Sequence, residues 1–67
     1  MTRIELNGAP HELPQPVSVT ALLESNGYGQ RRVAVEINRE IVPRSEHGAR
    51  LVRDGDRVEI VHALGGG

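Results

Sequence analysis

The residues of this chain best suited to chemistry are its last three, Gly65, Gly66 and Gly67. Glycine has no Cβ atom and high backbone entropy, so such a run is narrow enough to enter a channel that branched residues would block. We expect a mobile tail that delivers its terminal carbonyl to the active site of another protein. A frayed end without a role is the plainer interpretation of the same glycines.

A terminal carboxylate needs activation before it can take part in acyl transfer. Its pKa of about 3.5 makes it anionic at neutral pH and a poor electrophile, and an acyl adenylate made from ATP is the natural activated form. The chain contains neither a G-x-x-x-x-G-K-[ST] loop nor a G-x-G-x-x-G turn, so we expect a partner to bind and consume the ATP. The sequence predicts a carried substrate with no bound cofactor of its own.

The side chains offer little for catalysis. Cysteine is absent and all eight basic residues are arginine, which removes the thiol and the amine that covalent catalysis often uses. His11, His47 and His62 are too scattered for a metal-ligand spacing, so solvated or locally hydrogen-bonded histidines and no metal are expected. Ser18 and Ser45 are not part of a G-x-S-x-G nucleophile elbow. We predict no catalytic residue and no enzymatic activity of the chain itself.

Composition limits the class of protein. The 67 residues and 7.3 kDa suit one small domain. A net charge of −1 gives no basic face for nucleic acid or anionic lipid, and Tyr28 is the sole aromatic residue. No apolar run approaches the ~20 residues of a membrane span, and the first residues do not form a secretory signal. We expect a cytoplasmic protein that is monomeric when alone.

The pattern of the first residues predicts a β-hairpin. Residues 2–6 alternate polar and apolar, as a half-buried strand does, and Asn7-Gly8 then suits a type I′ turn. The returning strand should lie at an edge of the sheet, because prolines lack the amide donors that a central strand needs. These prolines are Pro10, Pro14 and Pro16.

A short helix should follow the hairpin. Ser18 is a suitable N-cap, and Val17 and Leu22 are spaced as a hydrophobic staple around it. The apolar stripe continues only to Asn26, after which Gly27 can adopt the left-handed conformation that ends a helix. The predicted helix is about two turns long.

Two longer strands are predicted in the second half. They span residues 33–37 and 57–61, and the latter directs Val58 and Ile60 to the core and Arg57 and Glu59 to water. Between them we predict a turn at residues 38–40, a short strand at 41–42, an irregular or 3₁₀ segment at 45–51 and a tight turn at 54–56.

This order of elements predicts an α+β fold of the β-grasp, or ubiquitin-like, type. A mixed sheet of four to five strands would have one main helix packed on one face. A right-handed crossover through the helix would let the last strand insert beside the first, parallel to it. We place the domain at residues 1–64 and a flexible glycine tail at residues 65–67.

Several segments together resemble the ThiS family, the sulfur carriers of thiamin biosynthesis. The segments are VAVEIN at residues 33–38, IVPRSE at 41–46, DGDRVEIV at 54–61 and the final GG. The hairpin and the helix around Leu22-Leu23-Glu24 also fit, so the resemblance covers essentially the whole chain. His47 and Gly65 depart from the pattern, because family members often have Trp at the first position and a residue with a side chain at the second.

The resemblance implies a sulfur-carrier function. In the family an E1-like adenylating enzyme, ThiF, adenylates the terminal glycine, and a cysteine desulfurase system replaces the adenylate with sulfur. The thiocarboxylate then donates its sulfur to thiazole synthase, ThiG. Carried onto this sequence, Gly67 would bear the adenylate and then the thiocarboxylate, while Gly65 and Gly66 would thread into the partner sites.

Surface residues suggest further contacts with partners. Ala34, Val61 and Leu64 are predicted to point outward and could form a modest apolar docking patch for the activating enzyme. Arg31-Arg32 is expected to be a solvated turn. Pro43-Arg44 should shape the exit from the short strand, with a partner contact as the alternative.

Two other functional classes remain open from the sequence. One is a carrier of the same fold for another acceptor, such as the MoaD-like small subunit of molybdopterin synthase or a carrier for another sulfur-containing metabolite. The other is a binding module whose glycine tail is incidental.

Overall fold

A computed structural model of the chain describes residues 1–29 and 31–62. Within these ranges the chain forms seven strands, one α-helix (α1, Val19–Ser25) and one 3₁₀ helix (Arg44–Glu46). The strands are β1 Thr2–Leu6, β2 Ala9–Leu13, β3 Val17–Ser18, β4 Val33–Ile37, β5 Glu40–Ile41, β6 Leu51–Val52 and β7 Arg57–His62. None of the described helices is long and apolar enough to cross a membrane.

Five of the strands form one mixed sheet in the order β2-β1-β7-β4-β5. The last strand, β7, is central: it pairs parallel with β1 and antiparallel with β4. This confirms the predicted β-grasp arrangement. The sequence did not predict the separate pairing of β3 with β6, because strands of two residues have no periodicity to detect.

The N-terminal hairpin has the predicted geometry. Asn7 and Gly8 both have positive φ, 50° and 85°, as a type I′ turn requires. The turn sets a register in which Thr2 faces Leu13 and Leu6 faces Ala9. The proline-containing strand β2 lies at the edge of the sheet, as predicted.

Helix α1 begins and ends where the sequence indicates. The Ser18 hydroxyl accepts a hydrogen bond from the Ala21 amide at 3.0 Å, which satisfies one of the free donors of the first turn. At the other end Gly27 has a φ of 85°, and its amide donates to the Glu24 carbonyl at 3.4 Å. The buried face of the helix consists of Val19, Leu22 and Leu23.

One aliphatic core lies between this helix and the sheet. Val58 and Ile60 are buried in it, as predicted, at 0% and 6% exposure. Burial of each such side chain contributes about 1.5–3 kcal/mol relative to exposure. The other buried members are Ile4, Leu13, Val19, Leu22, Leu23, Val35, Ile37, Val42 and Val52.

The turn and the short strand after β4 each end one residue earlier than predicted. The turn contains only Asn38 and Arg39, with φ of 53° and 72°, so β5 starts at Glu40 and ends at Ile41. A turn this tight usually contains a glycine, and its absence at residues 38–39 left the shorter turn undetected. Of the two alternatives for residues 45–51, the 3₁₀ helix forms, but it starts earlier, at Arg44.

The predicted turn before the last strand is confirmed. Gly55 has a φ of 90°, and the Asp56 carboxylate accepts a hydrogen bond from the Arg53 amide at 2.8 Å. Asp54 accepts another from the Arg3 amide at 2.8 Å. The turn therefore joins the start of β7 to β1.

Candidate functional site

The predicted reactive tail follows β7. The last described residue of this strand, His62, faces Val33 of β4. Leu64 and the three glycines at residues 65–67 lie outside the described residues. The domain boundary at residue 64, the flexible tail and the roles of its glycines therefore stay predictions.

Strand β7 is hydrogen-bonded to neighbouring segments along both of its edges. The Asn7 amide donates to the Val58 carbonyl at 2.9 Å, and the Ile60 amide donates to Asn7 Oδ1 at 2.7 Å. On the opposite edge, β7 is in register with β4 from Val58 to His62. Because β7 is paired on both edges, its end has a fixed position on the domain.

An aromatic contact lies at the end of β7. The rings of Tyr28 and His62 are 5.9 Å apart between centroids and are tilted by 54°. The Tyr28 amide also donates to the Leu23 carbonyl at 2.8 Å. The loop after α1 therefore packs against the last described residue of the chain.

Two of the residues predicted to form a docking patch lie side by side. Ala34 and Val61 are direct cross-strand partners on β4 and β7. The neighbouring residues Val35 and Ile60 point into the core, so Ala34 and Val61 point to the opposite side of the sheet, which we call the open face. Val61 is 59% exposed there. The third predicted member, Leu64, is not among the described residues.

His47 has a structural role. It is 8% exposed, and its Nε2 lies 3.0 Å from the Val42 carbonyl oxygen, to which it donates as the Nε2–H tautomer. This confirms a locally hydrogen-bonded histidine at a position where the ThiS pattern often has Trp. Residues 1–29 and 31–62 contain no group of three or more His, Cys, Asp or Glu side chains able to hold a metal ion.

Two of the remaining residues singled out in the sequence, Ser18 and Pro43, stabilise local structure. Ser18 caps α1, as described above, whereas Ser45 is exposed in the 3₁₀ helix. Pro43 precedes that helix, and its carbonyl accepts from the Glu46 amide at 2.8 Å, so it shapes the strand exit as predicted. The exposed Arg31 and Arg44 line one cleft beside α1. Arg32 is also exposed.

Sequence reasoning missed a hydrogen-bond network at the start of β7. Asn38 Oδ1 accepts from the Arg57 amide at 3.0 Å, and Asn38 Nδ2 donates to Asp56 Oδ1 at 3.0 Å. From the β1 side, Asn7 Oδ1 accepts from the Ile60 amide, farther along β7. Both asparagines stand at turns, where Asn tolerates left-handed backbone, but their distant partners depend on the sheet register.

The comparisons with known proteins agree with this architecture. The profile of the ThiS family matches residues 4–67. The sulfur carrier protein ThiS of Escherichia coli K12 is 36% identical over 50 residues, which cover 75% of this chain and 76% of that protein. The crystal structure of a thiamine biosynthesis protein (ThiS) from Geobacter metallireducens has a TM-score of 0.86 and 35% identity, covering 98% of this chain and 100% of that chain.

Longer relatives contain a similar segment. Thiazole synthases of Magnetococcus marinus and Paramagnetospirillum magneticum are 38% and 43% identical to this chain over 65 residues. The match includes 97% of this chain but only 20% of either synthase, so the chain spans about a fifth of their length. The profile match over nearly all residues, together with the shared β-grasp fold, shows that the chain belongs to the ThiS family.

Proposed function

We propose that the chain is a protein sulfur carrier for thiazole formation in thiamin biosynthesis. The observation on which this rests is that the family match continues through the glycines to Gly67. The Escherichia coli relative is named a sulfur carrier protein, and two further relatives are thiazole synthases, which supports both the class and the acceptor. The chain is a substrate of its partners and performs no catalysis itself.

The proposed chemistry takes place at the Gly67 carboxylate. One carboxylate oxygen attacks the α-phosphorus of ATP in the active site of an adenylating enzyme of the ThiF type, and pyrophosphate leaves. The terminal sulfur of a persulfide made by a cysteine desulfurase system then attacks the acyl carbon, and AMP leaves. A thiol attacks the other sulfur of the resulting acyl disulfide, so that the S–S bond breaks and a new disulfide forms as the thiocarboxylate is released. The resulting thiocarboxylate is the sulfur donor to a thiazole synthase of the ThiG type.

The body of the chain positions this group. Gly65 and Gly66 place no side chain in the path of the tail, so the partner sites can be narrow. The doubly paired strand β7 supplies a rigid base for the tail. The outward residues Ala34 and Val61, with Leu64, are the proposed contact for the activating enzyme.

Extending the chain past Gly67 tests whether the tail is the reactive group. Two serines added after Gly67 should abolish thiazole formation in a reconstituted system, because the glycine carboxylate becomes an internal amide. The same two serines added before Met1, which is 86% exposed, should leave the rate unchanged. A binding module with an incidental tail would tolerate both extensions. Thiazole formation at the wild-type rate with the C-terminally extended chain, shown by mass to be intact, would therefore contradict the proposal.

A further inference from the structure

The cleft beside α1 lies next to the end of β7. Tyr28 lines this cleft, and its ring centroid is 5.9 Å from that of His62. Val33, the cross-strand partner of His62, lines the cleft as well. The chain therefore leaves its last described residue beside this cleft.

Two exposed arginines give the cleft an excess of positive charge. Arg31 follows the loop after α1, Arg44 begins the 3₁₀ helix, and both line the cleft. Glu24 is the one carboxylate among its lining residues, and His47 Nε2 is already bonded to the Val42 carbonyl. Within the part of the chain that the structure describes, neither Arg31 nor Arg44 forms a salt bridge, so both guanidinium groups can receive an anion.

The size of the cleft suits a thin anionic chain end. Its volume is about 180 Å³, whereas sites for small molecules usually have about 300–1,000 Å³. Its wall at Gly29 is already tight, because a Cβ atom there would lie 3.2 Å from Glu24 Cγ. A carboxylate at the end of a glycine run needs little space, since glycine carries no side chain.

The tail of this chain is long enough to bring such a carboxylate to the cleft. Five residues follow His62, and an extended segment of that length spans up to roughly 17 Å. Because the tail is attached beside the cleft, its carboxylate has an effective concentration there on the order of millimolar. A second copy or another protein would have to supply a carboxylate from solution, so the chain's own tail is the favoured occupant.

We propose that the cleft beside α1 binds the chain's own C-terminal carboxylate, with the guanidinium groups of Arg31 and Arg44 as donors. This inference rests on the proposed function, which makes Gly67 the reacting end of the chain. Arginine suits this task because its planar guanidinium donates two parallel, charge-assisted hydrogen bonds to one carboxylate. The free chain then exchanges between a docked and a released tail, and only the released fraction can enter a partner site.

NMR relaxation of the ¹⁵N-labelled full chain, free in buffer of low ionic strength, tests the site. The Gly67 amide should have a higher order parameter in the wild-type chain than in Arg31→Gln/Arg44→Gln, where it should fall below ~0.6, the range of flexible backbone. Added salt should lower the wild-type value in the same direction. The matched control, Arg39→Gln/Arg53→Gln, makes the same change in net charge at exposed residues that do not line the cleft, and it should keep the wild-type value.

A chain that ends in a Gly67 carboxamide tests whether the carboxylate is the bound group. Its end carries no negative charge, so its Gly67 order parameter should match that of Arg31→Gln/Arg44→Gln. The Arg44 Nε–H resonance should also differ from that of the wild-type chain, because it loses its acceptor. Amide resonances of the buried Val58 and Ile37 report that each chain is folded.

Several results would overturn the inference. They are an equal Gly67 order parameter in the wild-type chain and Arg31→Gln/Arg44→Gln, an equal loss of order in the Arg39→Gln/Arg53→Gln control, and an ordered carboxamide. An order parameter that rises with protein concentration would also overturn it, because the tail would then bind a second copy.

Failure of the sulfur-carrier function is distinguishable, because the relaxation measurement uses no partner, ATP or sulfur source. A flexible Gly67 in a chain that still forms the thiocarboxylate would contradict tail docking alone. An ordered Gly67 in a chain that forms none would contradict the carrier function alone.

Discussion

Arg39 has a backbone conformation that suits glycine better than arginine. It is the second residue of the turn between β4 and β5, where Asn38 and Arg39 have φ of 53° and 72°. The first hairpin has the same turn geometry, with φ of 50° and 85°, but its residues are Asn7 and Gly8. Left-handed backbone costs a residue with a Cβ atom roughly 1–2 kcal/mol, whereas glycine adopts it freely.

Arg39→Gly should therefore stabilise the chain. Relief of roughly 1–2 kcal/mol of strain exceeds the ~0.5–1 kcal/mol that glycine adds to the entropy of the unfolded chain, so we expect a net gain of about 0.5–1 kcal/mol in urea unfolding. Gly8→Ala is the reciprocal control and should lose a similar amount. A Cβ atom at Gly8 meets nothing within 4 Å, so that loss would report conformation and not a clash. An unchanged unfolding free energy for Arg39→Gly would contradict this account of the turn.

These two turns show that a glycine makes a tight turn predictable from the sequence. The Asn7-Gly8 turn could be predicted because glycine is the usual sign of a type I′ geometry. The Asn38-Arg39 turn could not, and the boundary of β5 was consequently misplaced by one residue. The burial of His47 likewise depends on Val42, whose carbonyl becomes its hydrogen-bond partner only in the folded chain.

At the scale of elements, α1 depends on its cap and its packing. With seven residues it is far shorter than the ~12–15 residues at which an isolated helix becomes marginally stable in water. The Ser18 hydroxyl, bonded to the Ala21 amide, is its one side-chain N-cap. Leu22, with 0% exposure, attaches the helix to the core.

Ser18→Ala should lower the free energy of unfolding by about 1 kcal/mol, because the Ala21 amide loses its acceptor. Ser18→Asp, which keeps an acceptor, should restore most of that stability. Ser25→Ala is the matched control: the Ser25 hydroxyl donates to the Leu22 carbonyl, which also accepts from Asn26 Nδ2 at 2.9 Å. Denaturant unfolding that shows equal losses for Ser18→Ala and Ser25→Ala would argue against the cap.

The elements differ in how well their sequences predict them. The hairpin, α1, β4 and β7 have periodicity or capping residues within their own segments, and all were predicted. The β3–β6 pair joins Val17 to Val52 and Ser18 to Leu51, and each strand is too short to show a pattern. Pairings of this kind are determined by the packing of the whole chain.

At the scale of the whole molecule, the fold brings the two halves of the chain together at β7. The Glu5 amide donates to the Asp56 carbonyl at 3.0 Å, and the Asn38 amide donates to the Arg57 carbonyl at 2.8 Å. The order of elements was enough to predict this central insertion. It was not enough to predict that Glu36 faces Glu59, which requires the register of β4 against β7.

The tail chemistry was inferred from residue type and family resemblance. Three glycines after a strand indicate a group able to enter a narrow site, and the resemblance supplies the identity of that group as a sulfur carrier. The absence of cysteine is compatible with a sulfur atom bound at Gly67. The proposed function therefore depends on two steps at Gly67, adenylation and sulfur transfer.

Intact-mass spectrometry of the chain tests them most directly. After incubation with the adenylating enzyme, ATP and a sulfur source, the wild-type chain should gain the mass of one oxygen-to-sulfur replacement, located in the C-terminal fragment. A chain lacking Gly67 should gain none, and omission of ATP should prevent the gain. An unchanged mass of the wild-type chain under conditions in which the same enzyme preparation modifies an established ThiS protein would contradict the central claim.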